Sequence, residues 1–206
     1  AAEPPVYDVV IYGGTSAGIV AAVQAKRMGA SVIVLEPSTR IGGLTTGGLG
    51  QTDIGNKAAI GGISREFYQG IRQYYNDPAN WNWQTPESYR SGGQSRTIES
   101  EDTMWTFEPS AALHVMTQLA AEHHVEIVLN AKLDRTLLNQ QNARTRGVTM
   151  NERRIEAITT TNQITYRGHC FIDATYEGDL LAGAGVSYTV GRESNSTYEE
   201  TLNGVQ

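Results

Sequence analysis

The chain has 206 residues, enough for one sizeable domain or a domain and a half. Its single cysteine, Cys170, excludes an intramolecular disulfide and a zinc–cysteine cluster. A net charge of −6 with no basic run argues against a nucleic-acid surface. No apolar run approaches the roughly 18 residues that a membrane-spanning helix requires.

The chain opens Ala1-Ala2-Glu3-Pro4-Pro5 without a methionine. We read this as the mature end left by signal-peptide removal, which predicts a periplasmic or extracellular protein. A cytoplasmic protein with a trimmed start is the alternative. Tyr7 to Tyr12 is a short run holding Val9, Val10 and Ile11, and β-branched runs of this kind read as strands buried on both faces. A glycine turn follows. Ala17 to Met28 then reads as a helix closed by Gly29, and Ser31 to Leu35 as a second buried strand. The first 36 residues are therefore a βαβ unit.

Residues 37 to 65 are rich in glycine and lack hydrophobic periodicity, which predicts a long functional loop. Residues 64 to 76 read as a helix. Aromatic residues are scattered from Tyr74 to Trp105, and we expect them to form the core of an inserted substrate region, with sugar stacking the alternative. Pro109 opens a helix whose apolar stripe is Ala112, Met116, Leu119 and Ala120. His114 falls on its polar side, and His123 and His124 at its end. Val125 to Leu129 reads as a further buried strand. Leu133 to Tyr166 predicts a β-meander turning near Asn151-Glu152. His169 to Asp173 is a last apolar strand, in which Cys170 is expected to be an inert core residue.

Gly13-Gly14-Thr15-Ser16-Ala17-Gly18 lies between the first strand and the first helix. Gly13 permits the tight turn and Gly18 close packing, and the helix N-terminus offers N–H groups and positive dipole to a pyrophosphate. Thr15 stands where the usual motif has glycine, and its hydroxyl could face the phosphate. Glu36 ends the second strand 18 residues after Gly18, the spacing of a carboxylate that bonds ribose hydroxyls and repels a 2′-phosphate. These residues together predict a dinucleotide site.

A second glycine stretch follows, Gly42-Gly43-Leu44-Thr45-Thr46-Gly47-Gly48-Leu49-Gly50, and the last strand runs into Asp173-Ala174-Thr175-Tyr176-Glu177-Gly178-Asp179. With Tyr12 to Gly18, these runs resemble the FAD-dependent oxidoreductases of the glutathione-reductase fold type. The likeness is to a largely bacterial group carrying Y-G-G-T-x-A-G, G-G-x-T-T-G-G-L-G and D-A-T-Y-E-G-D, and it covers residues 6 to about 193.

The resemblance implies an α/β fold, a Rossmann-like parallel sheet with a β-meander and part of a second domain. It implies FAD as cofactor. Gly13, Gly14, Thr15, Ser16, Ala17 and Gly18 would hold its pyrophosphate, and Glu36, with Pro37 beside it, its adenosine ribose. Arg40, Gly42 and Gly43 would follow the diphosphate and ribityl chain. Leu44, Thr45, Thr46, Gly47 and Gly48 would lie near the isoalloxazine, where a planar ring needs close backbone approach. Leu133 would meet the adenine through its backbone. Ala174, Thr175, Gly178 and Asp179 would close the adenosine side. The expected division is residues 6–60 for the βαβ unit and flavin loop, 61–106 for part of a cap, 107–193 for the rest of the FAD-binding domain, and 194–206 for the start of a continuation.

Asp53 and Arg65 flank the glycine loop and are the weak candidates for a catalytic role, with structural salt bridges the alternative. No histidine spacing suits a metal. The expected reaction is hydride transfer from an organic small molecule to flavin. An NAD-dependent dehydrogenase is the second reading, against which the Gly42–Gly50 stretch speaks. A nucleotide-binding module without turnover is the third. Relatives continue past this point, so the remainder of the same protein is an expected partner.

Overall fold

The computed structural model describes residues 4–51, 55–89, 101–137 and 145–202. Six strands form one sheet in the order β3-β2-β1-β6-β5-β4. β1 (Val6–Tyr12), β2 (Val32–Leu35), β3 (Glu126–Val128) and β6 (Thr165–Asp173) are parallel, and β4 (Val148–Asn151) and β5 (Arg154–Thr159) extend the sheet as an antiparallel meander. The fold is thus α/β with a Rossmann-like parallel core, as expected.

The helix α1 (Ser16–Arg27) joins β1 to β2, and its buried Ile19, Ala22 and Val23 pack on the sheet. Thr15 caps it by accepting the Gly18 N–H, and Lys26 and Arg27 sit at its C-terminal end, where positive charge suits the helix dipole. α3 (Gly62–Tyr74) and α4 (Pro109–Glu122) complete the layer. Their buried Phe67, Ile71, Val115 and Met116 join Ile11, Val32 and Val34 in one core. The aromatic residues Tyr74, Trp81, Tyr89 and Phe107 pack against this same core. A second core on the opposite face gathers Val10, Tyr12, Ile33, Leu35, Leu133, Val148, Ile158 and Leu180.

Several sequence expectations are corrected. The glycine-rich stretch is not all loop: it contains α2 (Gly43–Gly47), too short to carry a periodic signal, and a single 3-10 turn at Lys57–Ala59. The meander runs without a break into β6, so Tyr166 and His169 share one strand. β3 is a sheet edge rather than a buried strand, and Leu129 beyond it is exposed. Cys170 is exposed, not core. It pairs with Val9 on β1. His114 is exposed and Trp105 fully buried.

Candidate cofactor site

α1 lies on one face of the sheet, while the connection that leaves β3 puts Ala131 and Leu133 into the core on the other. The connections therefore part between β1 and β6. In open α/β sheets the crevice at such a point, beyond the carboxyl ends of the strands, is where ligands bind. The turns after β1, β2 and β6 meet there.

The turn after β1 is pressed against the turn after β6. Gly13 has φ +103°, and a Cβ on it would lie 2.8 Å from the Ala174 carbonyl carbon and 2.9 Å from the Thr175 nitrogen. Gly18 is required more strictly: a Cβ there would stand 2.0 Å from the Gly13 carbonyl oxygen. Its absence lets the first turn of α1 close over the glycine loop. The Thr15 hydroxyl donates to the Ala174 carbonyl at 2.7 Å while accepting the Gly18 N–H. It is buried and holds β1 to β6.

Glu36 is buried, and both carboxylate oxygens are engaged by backbone. Oε2 accepts the Gly14 N–H at 2.7 Å and Oε1 the Ser38 N–H at 2.7 Å. The acid at the end of β2 therefore fixes the glycine turn. Pro37, half-buried, starts the turn between Glu36 and Ser38.

The second glycine stretch joins the first. The Gly42 N–H donates to the Gly14 carbonyl at 2.7 Å, and Ser16 Oγ is hydrogen-bonded to the Gly42 carbonyl at 3.0 Å and to Thr45 Oγ1 at 2.7 Å. Gly42 has φ +89°, and a Cβ on it would strike Thr46 Cγ2 at 2.1 Å. The Thr46 hydroxyl donates to the Ile41 carbonyl at 2.5 Å. The Arg40 guanidinium donates to the Thr46 carbonyl and, at 3.2 Å, to the Pro109 carbonyl, tying α2 to the start of α4. Leu44 is exposed on α2, and Gly47 and Gly48 at its end have nothing within 4 Å of the place a Cβ would occupy.

On the β6 side, Asp173 Oδ1 accepts from Thr175 N and Oγ1, and Oδ2 from Leu181 N. Thr175 Oγ1 in turn accepts the Gly178 and Asp179 N–H groups, and Gly178 at φ +68° starts α5 (Asp179–Gly183). Asp179 pairs with Arg135 at 3.0 Å. Leu133 is buried, and its N–H donates to Tyr12 Oη at 3.0 Å. Burial raises the Tyr12 phenol above its ordinary pKa, so it stands there neutral.

Three residues escaped sequence reasoning: Tyr12, Asp173 and Tyr176. Tyr176 Oη accepts the Leu44 N–H at 2.7 Å and so joins the β6 turn to α2. Two of the three lay inside the quoted D-A-T-Y-E-G-D run, which is the signal that could have found them. Arg65 stands apart, in an ion pair with Asp102 at 2.6 Å on α3. Asp53 lies outside the described residues.

These residues fit a dinucleotide. The Ala17 N–H at the N-terminus of α1 has no partner among the described residues, and no acidic side chain lies in the first turn of that helix. The open space at Gly47 and Gly48 leaves room for a flat group against the backbone. Among the described residues no group of histidine, cysteine and carboxylate side chains could hold a metal, and no helix is long and apolar enough to cross a membrane.

The fold is similar to that of a flavin-dependent brominase, at 18% identity and a TM-score of 0.54, over 88% of this chain and 41% of the other. L-proline dehydrogenase from P. horikoshii aligns at 13% identity and a TM-score of 0.50, over 92% of this chain and 59% of that one. L-amino acid deaminase from Proteus vulgaris aligns at 16% and 0.50, over 88% and 50%. The chain thus spans between 41% and 59% of the length of these structures. No match was found among curated proteins. Residues 8–206 match the family described as FAD dependent oxidoreductase. The chain belongs to that family, and its cofactor is FAD.

Proposed function

We propose that FAD lies along the crevice between β1 and β6, and that the whole protein uses it to remove a hydride from an organic small molecule. The observation that carries the reading is the union of the two glycine stretches through the Gly42–Gly14 hydrogen bond. It makes one continuous cradle from the N-terminus of α1 to the open end of α2. FAD supplies the redox chemistry when bound, its ring system taking up a hydride equivalent.

The chain's own residues bind and orient. The N-terminal turn of α1, with Gly13 to Gly18, receives the pyrophosphate through Ala17 N–H and the helix dipole. Glu36 takes the ribose hydroxyls with the lone pairs left free by Gly14 and Ser38, and Pro37 shapes that turn. Arg40, Gly42 and Gly43 flank the chain toward the ring, and Leu44, Thr45, Thr46, Gly47 and Gly48 form the surface against it. Leu133, Ala174, Thr175, Gly178 and Asp179 border the adenosine side.

The test is anaerobic bleaching of the flavin absorbance on mixing the holoprotein with a panel of alcohols, amines and amino acids. Deuterium at the reacting carbon of the active compound is expected to slow bleaching several-fold. Bleaching that is indifferent to deuterium even when chemistry limits the rate would overturn hydride removal.

A further inference from the structure

A cavity of about 210 Å³ lies between the Asp77–Tyr89 segment and the strand-like run from Met104 to Glu108. It is smaller than the roughly 300 Å³ at which drug-sized sites begin, so it takes one compact group. Tyr75, Trp81, Trp83, Tyr89, Phe107 and Glu108 line it. The rings are walls rather than a platform. Trp81 meets Tyr75 at 54° with centroids 5.0 Å apart, and Tyr89 at 69° and 5.5 Å.

The polar atoms of these rings are turned into the protein. Trp81 Nε1 donates to the Tyr75 carbonyl at 2.7 Å, Tyr75 Oη to Glu108 Oε2 at 2.8 Å, and Tyr89 Oη is bonded to Thr106 Oγ1. The cavity is left with π surface and one charge. Glu108 is the single charged residue in its lining, and Oε1 has no partner among the described residues. The walls are held in place by capped turns: Asp77 Oδ1 accepts the Ala79 N–H, and Thr85 and Ser88 form a capping box. Trp83, 87% exposed, stands at the rim between these turns.

We propose that this cavity binds a quaternary ammonium group. Ring faces set at steep angles attract a desolvated cation from several sides, and a carboxylate balances its charge. A sugar would need several hydroxyl partners, and the polar atoms of Tyr75, Trp81 and Tyr89 are already bonded. Asn82, Gln84, Trp83 Nε1 and Glu108 Oε1 remain for that role. Phe107, in the cavity wall, donates its N–H to the Gly50 carbonyl at 3.1 Å, so the cavity adjoins the end of the second glycine stretch. The proposal rests on the cavity alone and stands whether or not FAD is bound.

The test is a titration of the protein with tetramethylammonium chloride, read by tryptophan fluorescence and by the methyl proton NMR line. Saturation with an upfield, ring-induced shift is expected. Glu108→Gln and Trp83→Ala are each expected to weaken binding about tenfold, with the circular dichroism unchanged because Trp83 is exposed. The neutral tert-butanol, run against the unaltered protein, should not saturate in the same range. No saturation by tetramethylammonium, or equal binding of tert-butanol, would overturn the proposal. So would saturation by methyl glucoside alone, which would make the cavity a sugar site.

Discussion

The strand-end turns and the Gln51–Glu108 segment are neighbours built on opposite rules. In the turns, close approach of backbone to backbone decides the structure. Gly13, Gly18 and Gly42 each stand where a Cβ would strike protein atoms, and carboxylates hold free N–H groups in place. Between Gln51 and Glu108, side-chain volume decides: Phe67, Tyr75, Met104 and Trp105 are buried, and rings contact rings. The first region keeps N–H groups and open space for a ligand, and the second uses its residues mainly on packing. A change in the buried core of the second should therefore alter stability and leave FAD binding as it is, and a change in the first both stability and cofactor binding.

Phe67→Ala separates the two most strongly. Phe67 is buried in the core that α3 shares with α4 and α1, so its truncation is expected to lower unfolding free energy by about 4 kcal/mol, while the molecules that remain folded bind FAD unchanged. Gly18→Ala comes next. A backbone oxygen 2.0 Å from the new methyl cannot rotate aside, and a loss of about 3 kcal/mol is expected in urea, together with loss of FAD. Wild-type stability in this variant would show that the turn is looser than described. Glu36→Gln should cost about 2 kcal/mol, because the amide nitrogen must confront the N–H of either Gly14 or Ser38. FAD affinity should fall with it.

The smallest effect is a pH dependence in the helical layer. The Arg27 guanidinium bonds Glu66 at 2.6 and 2.8 Å and holds its carboxyl below the usual range. A depressed folded-state pKa stabilises above the ordinary glutamate range and is lost as pH falls through the lowered value. The pair is substantially exposed and screened by solvent, so its contribution is small. Unfolding curves of the wild type and Glu66→Gln should differ at neutral pH and converge in acid. FAD affinity should not distinguish them at either pH.

The same division explains what the sequence made legible. β1, α1, β2 and Glu36 could be read because a buried strand, a glycine turn and a helix each leave a local pattern, and the spacing joined them. α4 was legible from Pro109 and its stripe. α2 was not, since five residues make barely one turn and its stability comes from Arg40, Tyr176 and the fit of Gly42 against Thr46. The bond of the Thr15 hydroxyl was not legible because its partner, Ala174, is 159 residues away. Cys170 was misjudged because strand composition does not say which residues of a strand the fold covers. The aromatic segment offered no period at all, and its described residues are held by capped 3-10 turns and by ring contacts such as Trp81–Tyr89 and Tyr68–Trp105.

The central claim is that the joined glycine stretches hold FAD, and Gly47 isolates it. Nothing lies within 4 Å of the place its Cβ would take, so Gly47→Ala should leave stability within about 0.5 kcal/mol of wild type. The most direct measurement is an FAD titration of wild type and Gly47→Ala, followed by quenching of flavin fluorescence. The account predicts saturation at one FAD per chain for the wild type and weaker binding for the equally stable variant. A folded wild type that shows no saturable FAD binding, or a Gly47→Ala protein that binds FAD as tightly as the wild type, would contradict it.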